Sequence, residues 1–114
     1  MSLGEKKLLT DILTAIKGID EHLEGKRVFE EYKANKTKRR AVERELEIIG
    51  EAVNNLLKIN SSISVSFARL VVDLRNRIIH SYDNVNDTVI WKIIMKDIPI
   101  LQQEVQELLK DDTA

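Results

Sequence analysis

Apolar residues recur at three- and four-residue steps along most of the chain. Between residues 5 and 24 they are Leu8, Leu9, Ile12, Leu13, Ile16, Ile19 and Leu23. That is the period of one face of an amphipathic helix. Gly25 stands where such a helix would stop. The longest pattern covers residues 38–59, through Ala41, Val42, Leu46, Ile48, Ile49, Ala52, Val53, Leu56 and Leu57. Thr37 or Asn35 would cap it. Gly50 lies inside this stretch. A mid-helix Gly costs about 1 kcal/mol against Ala, which close packing of a neighbouring helix would explain.

A third long helix is predicted over 66–82, with Ser66 as a possible cap and Phe67, Val71, Leu74 and Ile78 as its core stripe. Asp87 can cap a last helical region that runs to about Lys110. Asp97-Ile98-Pro99 marks a kink or a restart within it. Residues 60–65 and 83–87 read as loops. Residues 26–40 differ: their apolar residues are Val28, Phe29 and Tyr32, enough for a short helix that docks weakly. Met1-Ser2-Leu3-Gly4 is given no weight. The sum is all-α: an up-and-down four-helix bundle with one extra short helix, forming one domain over residues 1–114.

Composition sharpens this. Of 114 residues only 4 are Gly and 1 is Pro, too few for an all-β domain built on hairpins. Cysteine is absent, which removes disulfides, thiolate metal sites and cysteine nucleophiles together. The formal net charge is −1, so any nucleic-acid partner would need a local patch. One exists in the sequence: Lys33-Ala34-Asn35-Lys36-Thr37-Lys38-Arg39-Arg40 holds five basic residues and no acid. The bland reading is a solvated helix start. Cations there oppose the helix macrodipole, which favours a role in binding polyanions. No apolar run approaches a membrane span and no signal-peptide pattern opens the chain, so a cytoplasmic protein is expected. A small domain buries a modest core, and oligomerisation is a common supplement.

The stretch that carries candidate chemistry is Arg75-Asn76-Arg77-Ile78-Ile79-His80-Ser81-Tyr82. At about 100° per residue, Tyr82 falls on the side of Arg75, while Asn76, His80 and Arg69 share an adjacent side. Arg offers a planar, permanently charged fork for a phosphate. His titrates near neutral pH and can exchange protons with a hydroxyl or a leaving oxygen. Asn can position either. RNA cleavage by its own 2′-hydroxyl needs such groups and no metal. The chain carries no H-E-x-x-H or paired-carboxylate motif, so no metal or other cofactor is expected. Each residue also has a structural alternative. His80 can cap carbonyls at a helix end, Arg75 can pair with Asp73 or Glu51, and Tyr82 can be a buried anchor.

Arg-x4-His-x-Tyr at the end of the third helix resembles the signature of the HepT-like branch of the HEPN superfamily. Asn76 matches the polar residue that follows the Arg. The block from Ala41 to Ala52, with its Ile49-Gly50-Glu51-Ala52 run, is similar to that family's long helix. The opening Asp11-Ile12-Leu13 and the closing Ile90-Trp91…Asp97-Ile98-Pro99 are similar too.

The resemblance implies a helical homodimer in which two such motifs face each other across one composite cleft. It implies a metal-independent endoribonuclease, the toxin of a toxin–antitoxin module. Its antitoxin would be a minimal nucleotidyltransferase of the MntA type, which adds AMP to the tyrosine matched by Tyr82. Arg75 would hold the scissile phosphate, Asn76 would orient, and His80 would act as base or acid. Arg69, Arg77, Lys36, Lys38, Arg39 and Arg40 are candidate contacts for RNA or the partner. Two alternatives remain at this point: a non-catalytic subunit that binds a nucleotide or a nucleotidyltransferase, and a helical dimer with no site.

Overall fold

The computed structural model describes residues 1–63, 66, 68–73 and 87–113, the side chains of 112 and 113 excepted. Every regular element among these residues is helical. α1 spans Leu3–His22, α2 Phe29–Ala34 and α3 Lys36–Ile59. Residues 68–73 are helical. α4 covers Asp87–Lys92, a π-helical turn Ile93–Asp97 follows, and α5 runs over Ile98–Thr113. No helix among the described residues is long and apolar enough to cross a membrane.

α1 starts two residues earlier than the apolar pattern suggests, because Ser2 caps it. The Ser2 hydroxyl accepts from the Glu5 backbone N–H at 3.1 Å, and the Glu5 carboxylate accepts from the Ser2 N–H at 3.3 Å. This reciprocal pair satisfies donors that the first turn leaves open. The Ser2 N–H, with the Asn60 amide, holds the Glu5 carboxyl below its usual range. Asn35 rather than Thr37 caps α3, accepting from the Lys38 N–H at 3.0 Å. After α1 the chain turns through Glu24 (φ 57°) and Gly25 (φ 70°). The left-handed conformation at Gly25 is what its missing Cβ permits.

α1 and α3 pack antiparallel: Asn60, after α3, reaches Glu5 at the start of α1, while His22 at the end of α1 reaches Glu45. Most of the first two predicted stripes is buried, with Leu8, Leu13, Ile48 and Leu57 at its edge; of the third stripe Val71 is buried, and Phe67, Leu74 and Ile78 lie outside the described residues. Leu9, Ile12, Ile16, Ile19 and Leu23 meet Val42, Leu46, Ile49, Val53 and Leu56, with Val71 and the last helices closing the cluster. Each buried Leu or Ile contributes roughly 1.5–3 kcal/mol. Gly50 is buried on α3, on the packed side of that helix.

α2 corrects an expectation. It does not dock weakly: Tyr32 is 1% exposed. Its ring stacks on Trp91 of α4 at 5.2 Å, and Phe29 lies 5.8 Å from the same indole. Tilted aromatic pairs of this kind add about 0.5–1.5 kcal/mol each beyond area burial.

The interruption near Pro99 takes a definite form. Pro99 lacks an N–H and its ring obstructs the carbonyl four residues back. Just ahead of it the helix widens, and the Ile98 N–H bonds the Ile93 carbonyl, a five-residue step. Ile90, Ile94 and Ile98, spaced by two successive four-residue steps, are all buried in the core.

Candidate active site

The motif residues Arg75, Asn76, Arg77, His80 and Tyr82 lie outside the described residues. What is described is the frame on both sides of them. On the upstream side, Ser66 precedes the helical stretch 68–73, whose Ala68 and Val71 are buried. Ser66 is held from α5. Its N–H and hydroxyl both donate to one carboxylate oxygen of Glu104, at 2.8 and 2.7 Å. A carboxylate at this point favours the positive end of the helix that follows. Ser66, the candidate cap, is thus itself held by Glu104.

On the downstream side, Asp87 begins α4. Its carboxylate lies 3.9 Å from the Arg39 guanidinium. Arg39 also donates to the Lys33 backbone carbonyl. One residue of the basic run is therefore spent on anchoring α4 and the end of α2 to the first turn of α3. Arg40 faces the same acidic neighbourhood, where it lowers the Glu43 carboxyl while burial raises it more. The net direction for Glu43 is upward, with burial the leading cause. The Tyr32 hydroxyl sits in the same corner, buried and without a hydrogen-bond partner among the described residues. Burial, then the Glu43 and Asp87 carboxylates, push its ionisation well above the ordinary tyrosine range. The candidate cations thus divide. Lys36 is exposed and Lys38 half-buried, with no ion pair among the described residues, whereas Arg39 is engaged.

Arg69 is exposed and borders a groove with Asn54, Leu57 and Lys58 of α3. These residues belong to the last turns of α3, while Lys36 to Arg40 form its first. About 20 residues at 1.5 Å each separate them by roughly 30 Å. Arg69 and the basic run are two separate cationic places. Glu104 lies near the first of them, since it grips Ser66 three residues before Arg69. Lys58 and Glu104 carried no sequence signal. Glu104 reaches Ser66 across 38 residues of sequence, and Lys58 borders the same groove as Arg69.

The sequence model of the family described as Ribonuclease HepT-like matches residues 12–108. Among curated proteins, the chain is 39% identical over 85 residues to "Putative RNase TTE0752" of Caldanaerobacter subterraneus, covering 74% of this chain and 76% of that one. It is 35% identical to "Putative RNase MJ0127" of Methanocaldococcus jannaschii, covering 93% and 88%. It is 34% identical over 111 residues to "Probable ribonuclease HepT" of Thermococcus cleftensis, covering 96% of this chain and all of that one. No solved structure matches the chain. The matched span takes in both anchors of the motif segment and the motif itself, and the chain belongs to the HepT-like ribonuclease family.

Proposed function

We propose that this protein is a metal-independent endoribonuclease. The observation that carries the reading is Arg75-x4-His80-x-Tyr82 lying within the span matched by the HepT-like family. Arg75 holds the scissile phosphate by its guanidinium fork. His80 moves the proton, as base towards the 2′-hydroxyl or as acid towards the leaving 5′-oxygen. The 2′-oxygen attacks phosphorus, the bond to the 5′-oxygen breaks, and a cyclic phosphate and a 5′-hydroxyl remain. Asn76 orients the phosphate or the imidazole. Arg77, Arg69, Lys36 and Lys38 are proposed to contact RNA.

The same reading makes the protein a homodimer with a composite cleft, and the toxin of a toxin–antitoxin pair. The antitoxin is a nucleotidyltransferase of the MntA type that adds AMP to Tyr82. A bulky anion there would exclude RNA by sterics and by charge.

The test is cleavage of RNA by the purified protein with a chelator present, beside His80→Ala. Loss of cleavage and of growth toxicity in the variant, with the dimer retained, is expected. An unchanged rate in His80→Ala removes the mechanism. A monomer at micromolar concentration removes the composite cleft.

A further inference from the structure

The groove between the end of α3 and residues 66–72 has a chemistry unlike its neighbours. Its volume is about 460 Å³. It is lined by Asn54, Leu57 and Lys58 on one side and by Ser66, Ala68, Arg69 and Val72 on the other. The larger groove between α1 and α3 carries Asp11, Glu21, Glu45, Glu47 and Glu51 in its lining. Among the described residues, the α3–Arg69 groove has no carboxylate in its lining. The nearest acid with an assigned role, Glu104, spends one oxygen on Ser66, and its other oxygen is buried. Asp73, four residues after Arg69, is exposed and makes no ion pair with it among the described residues. Lys58 and Arg69 are both exposed, and neither has an acidic partner among the described residues.

The groove therefore joins three features. It has an apolar wall of Leu57, Ala68 and Val72. It has an amide, Asn54, able to meet a base edge in both donor and acceptor senses. It has two cations with no acidic partner among the described residues, one of them a guanidinium. A nucleotide has the matching parts: a flat ring for the wall, an edge for the amide and a phosphate for the cations. We propose that this groove is a nucleotide subsite, in which Lys58 and Arg69 hold a phosphate and Asn54 faces the base. Six residues separate Arg69 from Arg75, so their Cα atoms lie at most about 20 Å apart. That is a span of a few nucleotides. The natural occupant is a residue of the RNA strand that flanks the cleaved bond, and in this form the inference rests on the ribonuclease reading. A free nucleotide shares the same chemistry.

The experiment uses the full chain carrying His80→Ala, so that RNA survives the titration. A labelled 12-nucleotide single-stranded RNA is titrated by fluorescence anisotropy at several salt concentrations. Adding Lys58→Gln and Arg69→Gln is expected to weaken binding about tenfold at low salt. The slope of log affinity against log salt should fall by about 1.4, two contacts at roughly 0.7 each. Both residues are exposed, and an unchanged thermal melt verifies the fold. AMP is titrated as a competitor. Displacement by AMP that the double substitution abolishes assigns the groove to free nucleotides as well. No displacement, with the RNA effect present, assigns it to the strand alone. Equal affinity and slope in the two proteins, or no RNA binding at all, overturns the proposal. Cleavage is read separately with His80 intact. RNA binding that depends on Lys58 and Arg69 without any cleavage would defeat the ribonuclease reading and leave the subsite standing.

Discussion

Glu104 holds Ser66 across 38 residues of sequence, through two hydrogen bonds to a single carboxylate oxygen. This contact ties α5 to the start of the stretch that leads into the motif. Glu104→Ala is expected to cost about 1–2 kcal/mol, as lost helix caps do. Glu104→Gln, whose amide oxygen still accepts, should lose less. Urea denaturation midpoints measure both. Equal midpoints for Ala and parent would mean that the contact contributes nothing.

Tyr32→Phe is the opposite case. The hydroxyl is buried and makes no hydrogen bond among the described residues, while the ring packs on Trp91. Burying a hydroxyl unpaired costs roughly 1–3 kcal/mol. Removing it while keeping the ring should raise stability by about 1 kcal/mol. A drop in the melting temperature would reveal a partner for that oxygen.

The long helices were legible because each presents an uninterrupted apolar stripe, as Leu9 to Leu23 and Val42 to Leu56 do. The docking of α2 was not. Val28, Phe29 and Tyr32 are too few to give a period, and their partner Trp91 lies 59 residues beyond Tyr32. The Ser2-x-x-Glu5 cap is a readable signal, but it is polar and lies outside the apolar pattern that marks the helix. Pro99 announced an interruption, but whether the helix breaks or widens depends on how Ile94 and Ile98 pack. The candidate motif was legible as residue types at a spacing. The separation of Arg69 from the basic run, beside opposite ends of α3, was not, since exposed Lys and Arg carry no pattern that says what stands opposite them.

Glu43 gives a pH dependence. Its carboxyl is raised above the ordinary value of 4.5, by burial first. A group raised on folding favours the folded state when protonated. Its contribution is fully present below pH 4.5 and is lost as pH rises through its folded value. Glu43→Gln should therefore raise the melting temperature at pH 7 and leave it nearly unchanged at pH 4. A larger gain at pH 4 than at pH 7 would contradict this.

Gly18 and Glu45 should behave non-additively. A Cβ on Gly18 would collide with a Glu45 carboxylate oxygen, and that same oxygen contacts His22 at 2.9 Å. Ala is favoured over Gly within a helix by about 1 kcal/mol, but here it displaces the carboxylate. Gly18→Ala alone should be close to neutral. In a Glu45→Ala background it should stabilise by about 1 kcal/mol. A double-mutant cycle reads the difference.

The basic run should divide by function. Arg39→Ala removes the contacts to Asp87 and the Lys33 carbonyl, so it is expected to lower the melting temperature. Lys36→Ala with Lys38→Ala should leave melting unchanged, and should flatten the salt dependence of RNA binding by about 1.4. The reverse assignment would mean that the lysines are structural.

The anchors at Ser66 and Asp87 also bear on how such a protein can diversify. Both are held by residues of the frame, Glu104 and Arg39, that lie outside the segment they bracket. Neither contact uses a side chain from residues 74–86, so substitutions there leave both points of attachment chemically intact. The attachment of the segment and its own residue types can therefore be selected separately.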